Sequence, residues 1–314
     1  MPPGGHRRPA DDGLGQGPAR RSGSCYAPAR MATSAQTRRI RAARRPGSLE
    51  LIAEGLSEIW SHRRLVRYLV RADLRKHGSD TLLGNVWWIL DPLLQMAVYV
   101  VLISIIFRQT TPDYPLFVFA AILPWKWYST AVNDGIVSVT SRDRIIKQVK
   151  FPKIVLPVAA AVGGIVNFVF GLIPLFALML LFYSDRWSAT LVLIPVIAAV
   201  QFVFSLATAI FVSAVNVFFR DIANVARHGL RLWFYLSPAL YAYSDVAGRL
   251  DGLVGRILQL NPWTHLFESY RDVIYNERLP DFVGLAVVLV VSTFLLGLAT
   301  LFFKRVEPSF AKVL

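Results

Sequence analysis

The chain has 314 residues, 54% of them hydrophobic and only 17% charged, with a net charge of +14 and one cysteine, Cys25. Its mean hydropathy of +0.46 excludes an ordinary soluble domain. A lone cysteine excludes a disulfide framework and a cysteine-based metal site, and His6, His62, His77, His228 and His265 show no ligand spacing, so no metal is expected.

The positive charge is local. Residues 1–45 form a Gly/Pro/Arg-rich arm ending in Arg38, Arg39, Arg41, Arg44 and Arg45, with Met31 as a second possible start. Such a segment buries too little apolar surface to order itself and reads as disordered. Anionic lipid headgroups explain its charge more simply than nucleic acid does. The N-terminal charges precede no apolar run with a cleavage site, so no signal peptide is read.

Residues 46–80 carry Leu49, Ile52, Leu56, Ile59 and Trp60 on one helical face, then a crowd of Arg and His. That pattern suits an amphipathic helix lying in the membrane interface. Residues 81–314 read as a transmembrane domain. Apolar runs near 86–107, 116–139, 154–183, 188–218, 230–243 and 282–303 reach or approach the roughly 20 residues that cross a bilayer, the fifth being short. Strand-like alternation is absent, so the spans are helices that satisfy their own backbone. The predicted fold class is therefore all-α and polytopic, with six transmembrane helices.

Lysine and arginine beside spans stay in the cytoplasm. This places the termini, the connection Ser141–Pro157 and the connection Arg220–Arg231 inside, and the turns Arg108–Pro115 and Ser184–Trp187 outside. The long outer segment from Ser244 to Asp281 reads as two helices: Leu250, Leu253, Val254, Ile257 and Leu260 recur at helical spacing, and Asn261-Pro262 restarts the chain. Asparagine suits an N-cap and proline the first helical position. An external re-entrant hairpin between the fifth and sixth spans is expected.

Asp91, Lys126 and Asp134 fall within or near the ends of spans, where a charge is costly and points to function. Trp87, Trp88, Phe117, Trp125, Tyr128, Phe204 and Phe211 are candidate channel-lining aromatics, since sugar rings stack on aromatic faces; interfacial and lipid-facing belts are the competing explanation. Nothing matches the phosphate-cradling G-x-x-x-x-G-K-[ST] pattern, so an ATP-driven function needs a separate ATPase.

The connection "SRDRIIKQVKFPKIVLP" is short, basic and helical in pattern. Asp143 suits a helix N-terminus. Ile145, Ile146 and Val149 form a small apolar face, Arg142, Arg144, Lys147 and Lys150 surround it, and Phe151-Pro152 stops it. A positive-inside anchor needs neither an apolar face nor a defined stop; a handle for a cytosolic partner needs both.

In order along the chain stand "RADLRKHGSDTLLGNVWWILDPLLQM", "LPWKWYS", "RDRIIKQVKFPKIVLP", "NVFFRDIANV", "SPALY" and "NPWTHLFESYRDVIY". This series resembles the type-2 ABC exporter permeases of the Wzm and TagG-like group, which move lipid-linked polysaccharides such as O-antigen, galactan or teichoic acid. The resemblance runs from about residue 49 to the C-terminus. It implies a non-catalytic transport subunit acting as a homodimer with two cytosolic ATP-binding subunits, which hold the ATP and magnesium; this chain itself carries no cofactor. It implies a polyprenyl-diphosphate-linked glycan as cargo and a bacterial inner or plasma membrane location.

The resemblance makes Arg142, Asp143, Arg144, Ile145, Lys147, Lys150, Phe151 and Pro152 a coupling helix seated on the ATPase, with Arg220 and Asp221 a second contact. Trp60, Arg67, Tyr68, Asp73 and Arg75 would belong to the interface helix, and Asn261, Pro262, Glu268, Tyr270 and Arg271 to an external gate. Asp91 departs from the neutral residue this group often has before the proline, and residues 1–45 match nothing in it. Two alternatives remain: a small-lipid or drug exporter of the same superfamily, or a membrane glycosyltransferase using Asp73 or Asp80.

Overall fold

The computed structural model describes residues 47–79, 84–106, 111–243 and 253–314. The basic arm, Asp80 and the first part of the outer segment lie outside the described residues. Within them the chain is helical and contains no strand. The helices are α1 (Ser48–Ser61), α2 (Arg63–Ser79), α3 (Trp87–Val100), α4 (Tyr114–Ser138), α5 (Asp143–Gln148), α6 (Val155–Phe182), α7 (Ile194–Phe218), α8 (Ile222–Leu236), α9 (Leu253–Leu260), α10 (Pro262–Ile274) and α11 (Phe282–Val313). A π-helical turn, Val101–Ile106, extends α3.

Among the described residues four stretches are long and apolar enough to cross a membrane: Trp87–Ile105, Val155–Phe182, Ala189–Phe218 and Phe282–Phe310. The 25-residue α4 has the length but also carries Lys126, Asn133 and Asp134. It tolerates them because it is the central helix, packed against α3, α6, α7 and α10. From Leu116 to Trp125 every residue of α4 is buried, the pattern of a helix enclosed on all sides.

The apolar stretch expected near 230–243 takes a different form. Helix α8 starts at Ile222 and ends at Leu236, so much of the basic connection after Arg220 is itself helical. The end is set by Pro238, which disfavours helical backbone at the residue before it; Ser237 is accordingly extended, with ψ of 153°. At 15 residues and about 1.5 Å per residue, α8 is too short to cross about 30 Å of hydrocarbon alone.

Small residues set how closely the helices approach. A Cβ on Gly164 of α6 would lie 2.5 Å from Cδ1 of Trp127, and one on Gly135 of α4 would lie 2.9 Å from the Cβ of Ala209 on α7. Close packing of this kind is the main attraction between helices in lipid. Gly164→Val and Gly135→Val are therefore expected to destabilise by about 1–3 kcal/mol through overpacking. Thermal unfolding in detergent checks this, with Gly163→Ala as a neutral control because nothing lies within 4 Å of its added Cβ.

Candidate functional site

At one end of the bundle α5 protrudes between α4 and α6. It is shorter than its pattern suggested: Thr140–Arg142 form a 3₁₀ turn, α5 holds only six residues, and Val149 is already extended. The Thr140 hydroxyl donates to the Val137 carbonyl. The apolar face is split. Ile146 is buried as an anchor, whereas Ile145 is 50% and Val149 54% exposed. Arg144, Lys147 and Lys150 are exposed around them, and Phe151 and Pro152 are half-buried.

Both flanks of this protrusion are fastened. Arg142 donates from Nη2 to both carboxylate oxygens of Asp73 on α2, at 2.8 Å each, and from Nη1 to the Ser138 carbonyl, charge-assisted bonds that tie α2 to the end of α4. Asn216 near the end of α7 donates to the Ile136 carbonyl and to Thr140 Oγ1. Beyond the protrusion the Lys153 N–H donates to Glu307 of α11 at 2.8 Å, a carboxylate meeting the open N–H groups at the start of α6.

Glu307 belongs to a cluster the sequence patterns did not reveal. Lys304, only 9% exposed, lies 2.9 Å from Glu58, 3.1 Å from Glu54 and 3.3 Å from Glu307. One ammonium thus joins α1, α11 and the entrance to α6. Its partners Glu58 and Glu54 lie 246 and 250 residues away in sequence, which is why no local pattern marks them. Lys304→Met is expected to cost about 1.5–3 kcal/mol, the range for hydrogen bonds to charged groups, and to free α1 from α11. Faster proteolysis at α1 with the remaining helices protected would check this.

Helix α1 also packs on α11 through Gly55, where an added Cβ would meet Thr300 at 2.6 Å. Trp60 on its outer side is 73% exposed, and Leu49 and Leu56 are exposed with it. Arg67, Tyr68 and Arg75 are exposed on α2, while Asp73 is half-buried in its pair with Arg142. At the second candidate contact, Arg220 and Asp221 are exposed in the turn before α8.

The opposite end is organised by α10. Asn261 caps it, accepting from the Trp263 N–H at 3.1 Å. The same side chain accepts from Trp233 Nε1 and donates to Ser237 Oγ, joining the start of α10 to the end of α8. Pro262 occupies the first helical position.

Arg271 is 1% exposed. Its guanidinium meets the carbonyls of Pro238, Ala239 and Tyr241 at 2.6, 2.6 and 3.2 Å and the Glu268 carboxylate at 3.1 Å. It also lies 3.7 Å over the Phe117 ring. Burial lowers its pKa to about 10, with Glu268 opposing the shift, so it stays charged at neutral pH. These are the carbonyls that the break after α8 deprives of helical partners. Tyr270 donates to Gln201, which donates in turn to the Pro124 carbonyl of α4. Nearby, Arg186 bonds Asp113 at 2.8 Å, and that bond raises its pKa.

Most aromatics proposed to line a channel are instead packed inside this chain. Trp125, Tyr128 and Phe204 lie in a cluster with Trp233, Trp263 and Phe267: Tyr128 stacks on Phe204 at 5.3 Å and Trp125 meets Trp263 edge-on at 4.8 Å. Phe117 is buried beneath Arg271. Their faces are occupied by each other because an antiparallel bundle brings α4, α7, α8 and α10 together, a gathering that single-helix spacing does not show. Trp87 and Phe211 are exposed and Trp88 half-buried. Asp91 and Lys126, on different helices, form an ion pair.

The model for the family "ABC-2 type transporter" matches residues 64–275, from α2 to the end of α10. The O-antigen export system permease protein RfbA of Myxococcus xanthus is 35% identical over 255 residues, covering 81% of this chain and 97% of that protein. A protein of the same description from Klebsiella pneumoniae is 26% identical over 251 residues, covering 80% of this chain and 95% of its own length. The chain belongs to the ABC-2 type transporter family.

Proposed function

We propose that this chain is the membrane permease subunit of an ATP-driven exporter that carries a lipid-linked polysaccharide out of the cytoplasm, with O-antigen-type glycans the nearest class. The observation that carries the reading is the similarity to O-antigen export permeases over nearly their whole length. The protruding α5, anchored by Ile146 and fastened at both flanks, supports it physically.

The chain is a transport subunit and not an enzyme; ATP and magnesium belong to a partner ATPase. Exposed Ile145 and Val149 amid Arg144, Lys147 and Lys150 give that partner an apolar contact ringed by positive charge. Arg220 and Asp221 offer it a second contact. Because Asp73 holds Arg142 and Glu307 holds the Lys153 N–H, a push on α5 passes into α2, α6 and α11 as one body. The termini and α5 face the cytoplasm and α10 the outside, with α1 lying in the interface on Leu49, Leu56 and Trp60.

Six crossings follow if α4 and α8 cross with their neighbours. α8 keeps Val225, Leu232, Tyr235 and Leu236 exposed, an apolar surface suited to a second copy, and two permeases with two ATPases would complete the transporter. The carbonyls held by Arg271 close the outer end as a gate. Depleting the chain in its own cell tests the function: surface glycan should fall while lipid-linked glycan accumulates inside. Unchanged surface glycan would overturn it.

A further inference from the structure

Within one protomer a groove opens between α3, α4 and α6 and continues to α2. Its deeper part, 290 Å³, is lined by Trp87, Trp88, Asp91, Lys126, Thr130 and Asn167. The part nearer α5, 620 Å³, includes Asp73, Asp134, Ser141 and Arg142. Trp88 and Asn167 line both, so the two lie side by side. Their sizes suit small-molecule sites, which occupy about 300–1,000 Å³.

Asn167 sits near the middle of the 28-residue α6. Its Oδ1 is buried without a hydrogen-bond partner, an expensive state at membrane depth. Beside it Lys126 pairs with Asp91, and Arg142 pairs with Asp73 at the other end. Both cations are thus matched to carboxylates, which leaves the groove poorly suited to a free phosphate or diphosphate. It offers instead an indole, Trp88, which is half-buried and touches Phe170 at a tilt at 5.1 Å, a contact that is not a face-to-face stack, an amide acceptor, a hydroxyl, and paired charges that both donate and accept. That is the chemistry of a sugar ring, whose C–H face stacks on an aromatic plane and whose hydroxyls donate and accept at once.

We propose that this groove binds a sugar residue of the lipid-linked glycan inside a single protomer, stacked on Trp88 and hydrogen-bonded to Asn167 and the Lys126–Asp91 pair. The site rests on the exporter reading and adds where, and by which residues, the glycan is held. It places the sugar apart from the enclosed cluster of Trp125, Tyr128 and Phe204.

The test uses the full transporter in its own cells, with a photo-crosslinking benzoylphenylalanine at Thr130, alone or combined with Asn167→Leu, Trp88→Ala or Trp88→Phe. A sugar-bearing adduct is expected at Thr130. It should fall about tenfold in Asn167→Leu and Trp88→Ala, the loss expected from removing one or two good contacts, and survive in Trp88→Phe. Surface glycan, measured without the crosslinker, should fall in parallel while co-purified ATPase stays constant, which a misfolded variant would not allow. No sugar-bearing adduct, or one carrying lipid but no sugar, while the wild-type chain still exports glycan, overturns the groove and leaves the exporter reading standing. Surface glycan unaffected by deleting the chain removes that reading and this site together.

Discussion

Arg271→Met is expected to cost about 3–5 kcal/mol of stability, the range for breaking a buried charged network from one side. Methionine fills much of the space but leaves the Pro238, Ala239 and Tyr241 carbonyls and the Glu268 carboxylate without the guanidinium. Arg271→Lys is expected to recover only part of the loss, because a single ammonium cannot span acceptors arranged around a planar fork. Thermal unfolding in detergent and protease cleavage between α8 and α10 would report it. A methionine variant within about 1 kcal/mol of wild type would show that the break after α8 is held elsewhere.

The second large effect is at α5. Ile145→Asp with Lys147→Glu should weaken association with the partner ATPase about 30-fold or more, the loss of about 2 kcal/mol or more that marks an interface hot spot. Both side chains are exposed in the isolated chain, so membrane insertion and thermal stability should stay within about 0.5 kcal/mol of wild type. Ile146→Asp should behave differently, because Ile146 is buried: it should unfold the protrusion itself. Co-purification measured beside thermal unfolding separates the two. Equal ATPase binding by the Ile145/Lys147 double variant would remove α5 from the contact.

What could be read before the fold was known divides by the range of the interactions. Helix α10 was legible because Asn261 and Pro262 act within one turn of themselves, and α5 because its charges and stop lie within a dozen residues. The end of α8 was misplaced. Hydropathy favoured the apolar stretch around Tyr241, while Pro238 stopped the helix earlier. The aromatic residues of α4 and α7 were legible as a group but not in their role, since Tyr128 meets Phe204 and Trp263 only after three helices pack. Lys304 with Glu54 and Glu58, and Gln201 with Tyr270, escaped for the same reason. The Asp91–Lys126 pair lies between: each residue was singled out as costly in a span, and packing made them partners.

The measurement that bears most directly on the central claim is transport in proteoliposomes containing this chain and its ATPase, loaded with the cell's own lipid-linked glycan. On addition of ATP, glycan should move from the ATPase side of the membrane to the opposite side, as read by a lectin that cannot cross it. Movement should stop without ATP and in the Ile145→Asp/Lys147→Glu variant. ATP turnover by the assembled wild-type complex with no glycan crossing, or crossing that is unchanged when this chain is left out, would contradict it.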